Sequence, residues 1–239
     1  MQLGLLLRSA RWRHILTIVL AALLVYLFAA VHGQWSPMHR WNRATADASL
    51  LLLTLTMAIG PAARLLTRLR LLIPLRREFG IYAVLLALIH TLIIFDGWLE
   101  WDLARLAGFA FHPDLARYVM VQHGFGLANL IGLAALLYGG ILALTSADRA
   151  VRFLGGPTWK FVQSAAYVLW ALVLVHTAYF LFLHFLDFHR QTPAANPLQM
   201  WFAGLVALVL GLRIGASVLT WRRRHKPPAP GEVRMSPAR

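Results

Sequence analysis

The sequence predicts an all-α integral membrane protein, a bundle of six transmembrane helices with both termini in the cytoplasm. Three observations predict it. Of 239 residues, 59% are hydrophobic and only 13% charged, about half the charged fraction of a soluble domain. The apolar residues gather into six long continuous segments. The basic residues gather in alternate connections between those segments.

The segments fall at 15–31, 45–62, 79–97, 119–144, 161–186 and 199–219. Each reaches or approaches the roughly 20 residues that a spanning helix needs. Their polarity is continuous rather than alternating, which excludes a strand barrel. Arg8, Arg11 and Arg13 precede the first segment, as in a signal peptide. His32-Gly33-Gln34-Trp35 after it lacks the small-residue cleavage pattern, so the segment reads as a retained span.

Of the 23 Lys and Arg, 17 lie in the amino-terminal segment, the connections after spans two and four, and the tail. The opposite connections hold Arg40, Arg43, Arg105, Arg117 and Arg190, and Arg213 lies within span six. Basic residues are retained on the cytoplasmic side, so this bias places both termini there. Glu100, Asp102, Asp114 and Asp187 then lie on the outer side. Three parts follow: a cytoplasmic segment 1–14, a six-helix domain 15–220, and a basic, Pro-containing tail 221–239 suited to anionic lipid. Pro61, Pro74 and Gly155-Gly156-Pro157 punctuate the cytoplasmic connections. No internal repeat is evident. The net charge of +14 is spread over these connections rather than over a basic soluble domain, so no nucleic-acid partner is expected.

Cysteine is absent. Iron–sulfur clusters, thiolate zinc sites and covalently attached haem are therefore excluded, and a metal or haem must be held by other side chains. Ionisable residues inside a span are functional candidates by default. His90 lies in span three and His176 in span five, and the two spans run in the same direction. His90 is 11 residues past Phe79 and His176 is 15 past Phe161, or about 16 and 22 Å at the helical rise. Imidazoles at similar depth on neighbouring helices suit ligation of one haem iron from opposite faces, an arrangement that favours electron transfer. Interhelical hydrogen bonds from each histidine are the competing interpretation.

Other positions are weaker candidates for cofactor contacts. Arg40 and Arg43 oppose the charge bias and suit haem propionates. His123 opens span four and suits a propionate, a quinone or a partner, or is a plain interfacial histidine. Arg76 and Arg77 precede span three and suit a propionate or a flavin phosphate such as that of FMN, or serve as membrane anchors. His184 and His189 flank Asp187, but no tight spacing marks a surface metal site. Neither a G-x-G-x-x-G nor a P-loop is present, so an electron donor binds elsewhere or is a membrane quinone.

Arg76-Arg77-Glu78-Phe79-Gly80 followed by His90 resembles the R-R-x-x-G…H segment of the MsrQ (formerly YedZ) family, within the ferric-reductase-like transmembrane group. Thr145-Ser146, Arg149-Ala150, Leu154-Gly155 and Trp159 resemble that family's loop before span five. Thr45 and Gly60-Pro61-Ala62-Ala63-Arg64 match a further segment loosely. The resemblance covers about residues 40–220. It implies a haem b held by His90 and His176, with electrons passing from a cytoplasmic flavin reductase or quinol to a periplasmic molybdopterin-type methionine sulfoxide reductase. That enzyme, rather than this chain, would carry out the final chemistry.

The family often has another histidine thirteen residues before the distal one. Gln163 stands there. It keeps a place among the cofactor-binding positions, yet an amide is a poor iron ligand. Relatives with two haems also carry a cytoplasmic-side histidine near the position of Arg76. One haem is therefore expected. Ala46 replaces a family glycine, and the aromatic, charged segment 98–117 is compatible with a different periplasmic partner. Two other functions stay open at this level. One is the membrane component of a ferric or oxygen reductase with a separate flavin subunit. The other is a cofactor-free transporter or structural protein.

Overall fold

Six helices are long and apolar enough to cross a membrane in the computed structural model, which describes residue 4 and residues 6–120, 123–184 and 196–225. Helix α1 is Ala10–Val31, α2 is Pro37–Leu65 and α3 is Leu75–Gly97. A short α4 (Leu103–Leu106) leads into a hairpin of β1 (Phe109–His112) and β2 (Arg117–Met120). Helix α5 is Phe125–Thr145, and α6 (Asp148–Leu154) follows it. The fifth span, Gly156–Leu183, comprises α7 (Gly156–Ser164), α8 (Ala166–Ala178) and a π-helical turn, Tyr179–Leu183. Helix α9 is Gln199–Arg224.

Most helices extend past the apolar segments that announce them. Pro37–Leu65 adds eight residues before position 45, because a helix continues into the headgroup region where polar side chains are tolerated. Span four departs in the other direction. Its expected start at 119 falls in β2, and α5 begins only at Phe125. The apolar Val119 and Met120 belong to a strand paired with Ala110 and Phe109. A short apolar run does not distinguish strand from helix. Helix α9 carries Arg222, Arg223 and Arg224 in its last turn. Asp187, His189 and Arg190, the end of segment 161–186, and the tail beyond His225 lie outside the described residues.

Helix α2 is the centre of the bundle. Half of its apolar window is buried, against 17–22% in the other spans. Ala44 and Ala48 are fully buried one turn apart, and Ala58, Ala62 and Ala63 continue the small-residue surface. Small side chains let helix backbones approach closely, which is how packing energy is gained between membrane helices. Helices α1, α3 and α9 pack around α2, while α5 packs against α8, and the two groups meet through α3 and α5. At the arginine-rich end, Arg13 of α1 donates to Glu78 of α3 at 2.7 Å. Glu78 is 1% exposed, so this carboxylate is neutralised within the core.

Candidate functional site

The space between the two helix groups is a cavity of about 440 Å³, within the range of small-molecule sites. Helices α2 and α3 form one wall, and α5 and α8 the other. Leu50, Leu53, Val84, Leu136, Leu169 and Val173 make its body apolar. Trp35, His39, Trp98 and His184 surround it at the hairpin end.

His90 and His176 both line this cavity, one from each helix group. Each is anchored in the same way. His90 Nδ1 is 3.1 Å from the Asn42 carbonyl oxygen, and His176 Nδ1 is 2.8 Å from that of Ala128. A carbonyl only accepts, so Nδ1 carries the proton in both rings. The lone pair of each neutral ring is then on Nε2, the form in which imidazole ligates a metal. Gly132 makes room for His176: a Cβ there would lie 2.6 Å from its Cε1 and 2.7 Å from its Nδ1. The π-helical turn follows directly on α8, closed by His184 N–H donating to the Tyr179 carbonyl at 2.9 Å. Such turns interrupt a helix locally and recur at functional sites. Here it carries Phe180 and Leu181 to the cavity wall.

Of the other anticipated positions among the described residues, Arg43 and His184 line the cavity. The Arg43 guanidinium lies 3.7 Å from the Trp35 ring centroid. Arg40 lies instead over the Trp41 ring at 5.4 Å. His123 is in the turn before α5 rather than in the helix, and its carbonyl accepts from the Tyr179 hydroxyl. Arg76 donates from Nε to the Thr56 carbonyl, and Arg77 pairs with the exposed Asp148. Gln163 donates to the Leu142 carbonyl and to Thr145 Oγ1, tying α7 to the end of α5. None of these five is part of the cavity wall. In the structure these five side chains or backbones contact other groups instead.

Two residues at the cavity were not singled out from the sequence. Asp47 lines it, and its Oδ2 lies 2.7 Å from Nε2 of the fully buried His32. An acid inside a span was available as a signal for Asp47. Gly132 had no comparable signal, because a single glycine in an apolar helix does not reveal which side chain it faces.

The fold and cavity define the class: a multi-pass helical membrane protein with paired imidazoles facing a shared internal site. No family model matches the chain. Individual relatives do. The protein-methionine-sulfoxide reductase heme-binding subunit MsrQ of Ralstonia nicotianae is 30% identical over 207 residues, 87% of this chain and 84% of the relative. That of Azospira oryzae is 28% identical over 231 residues, covering 91% and 88%. The magnetosome protein MamZ of Magnetospirillum gryphiswaldense is 28% identical over 71% of this chain, but only 25% of MamZ is covered. The chain belongs to the MsrQ family.

Proposed function

We propose that this chain is a haem b electron-transfer subunit of a bacterial inner-membrane methionine sulfoxide reductase system. His90 and His176 would hold one haem, and the acceptor would be a periplasmic reductase of the molybdopterin type. A cytoplasmic flavin reductase or a membrane quinol would be the donor. The observation that carries this reading is the pair of imidazoles on opposite walls of one cavity, each with Nδ1–H committed to a backbone carbonyl. The heme-binding MsrQ relatives support it. The 17 basic residues counted on one side support an orientation with both termini cytoplasmic, which puts the hairpin end toward the periplasm.

The donor set fits the group. Two neutral imidazoles would supply nitrogen ligands, the cavity body is apolar, and Arg43 is a cation suited to a propionate. Bound haem would supply a one-electron carrier. His90 and His176 would hold the iron, while the Asn42 and Ala128 carbonyls orient their rings.

The test is a reduced-minus-oxidised absorption spectrum of detergent-purified protein, with haem quantified per chain. Sharp α and Soret bands at one haem per chain are expected, with loss of haem in His90→Ala and His176→Ala but not in His123→Ala. Full haem content in a folded His176→Ala protein would refute the ligand assignment.

A further inference from the structure

Asp47 is the one carboxylate among the described residues that lines the cavity. It lies on α2, four residues beyond Arg43, so the two share a helix face. Its side chain keeps 20% of its area accessible, whereas its partner His32 has none. Asp47 Oδ2 lies 2.7 Å from His32 Nε2. Nδ1 of His32 is buried and has no hydrogen-bond partner among the described residues.

These constraints assign the protons. With Nε2–H donated to Asp47, His32 is neutral and its Nδ1 is a bare lone pair sealed from water. Protonating Nδ1 would create a buried N–H without an acceptor, an unfavourable state. An additional proton therefore goes to the Asp47 carboxyl, whose accessible area meets the cavity. His32 holds one oxygen of that carboxyl in both states.

We infer that the His32–Asp47 pair is a proton-binding site that compensates the charge gained when the cavity's cofactor is reduced. This rests on the haem reading above. One electron, delivered by a dihydroquinone or dihydroflavin, lowers the net charge of the cavity by one. One proton from the aqueous phase at the hairpin end then neutralises Asp47, and the two changes cancel. A low-dielectric site makes that cancellation favourable, because an uncompensated charge is strongly disfavoured there.

The surroundings leave Asp47 as the acid to titrate. Helix α2 adds His39 and Arg43, α3 adds His90, and the fifth span with the residue after it adds His176 and His184. Arg11, Arg13 and His14 of α1, and Arg213 of α9, lie toward the arginine-rich end. His90 and His176 have Nδ1 committed to backbone carbonyls, and on the haem reading their Nε2 lone pairs are taken by the iron. His39 Nδ1 is 2.8 Å from Ser36 Oγ.

The test is a redox titration of the haem-loaded protein from about pH 5 to about pH 9. Wild type is expected to show a midpoint potential that falls as pH rises through the Asp47 titration. The limit is a tenfold change in the reduction equilibrium per pH unit, about 59 mV for one electron. Asp47→Asn mimics the neutral carboxyl, so it is expected to stay at the wild-type low-pH value at every pH. His39→Gln and His184→Gln are expected to retain the slope. Proton uptake by wild type on reduction in weak buffer, followed with a pH dye, gives a reading that needs no variant.

A pH-independent wild-type potential, no proton uptake, or an unchanged slope in Asp47→Asn would overturn this inference while leaving haem binding intact. Loss of the slope in His184→Gln or His39→Gln instead would also overturn it. Wild-type protein without a haem spectrum would overturn both this inference and the reading on which it rests.

Discussion

Replacing Gly132 with alanine tests the site through a position that touches no iron. The added Cβ would sit 2.6 Å from His176 Cε1 and 2.7 Å from Nδ1, whereas carbon atoms pack at about 3.5–4.0 Å. The imidazole must therefore move by about 1 Å. That displacement breaks its 2.8 Å hydrogen bond to the Ala128 carbonyl, worth about 1 kcal/mol. Forcing the side chain off its rotamer adds about 1 kcal/mol more. The sum, about 2 kcal/mol, is roughly a thirtyfold weakening of haem affinity. Gly140 lies on the same helix, and a methyl group added there would meet nothing within 4 Å, so Gly140→Ala is the matched control. Haem titration of the apo proteins, with the reduced-minus-oxidised spectrum as readout, should separate the two variants. Equal affinity and identical spectra for Gly132→Ala and Gly140→Ala would refute the placement of His176 at the cofactor.

Other perturbations separate ligation from scaffolding. His90→Ala should abolish haem binding as completely as His176→Ala, since on the proposed reading each ring would supply one nitrogen to the iron; haem quantified per folded chain checks this. Arg13→Ala leaves the 1%-exposed Glu78 carboxylate without its cation and should destabilise the protein by about 3 kcal/mol, measured as a lower detergent unfolding midpoint. Gln163→Ala removes hydrogen bonds of 3.3 and 3.1 Å to Leu142 and Thr145. It should cost about 1–2 kcal/mol of stability with haem content unchanged, so a selective loss of haem would show that Gln163 serves the cofactor. Asp47→Asn should flatten the pH dependence of the potential while preserving the spectrum.

The sequence by itself determined the architecture. Segments such as 79–97 and 199–219 are too long and apolar for any alternative to a spanning helix, because the bilayer offers no other partner for backbone polar groups. Residues 76–80 with His90 carried the family resemblance that the MsrQ relatives support. The same reasoning drew attention to His90 and His176, since an imidazole in a span stands out against its surroundings. Composition could not separate Val119 and Met120 from a helix, because hydropathy records burial without pairing, and these residues pair in a strand. Only the tertiary structure decided which polar groups share a surface. Arg40 and Arg43 are three residues apart, yet only Arg43 meets the cavity, and Gln163 turns to the end of α5. Asn42 and Asp47 of α2, with His32 just before it, meet Gly132 and His176 from a distant stretch of chain. Helix phase and the packing of α2 and α3 opposite α5 and α8 bring them there, and neither is a local property of the sequence.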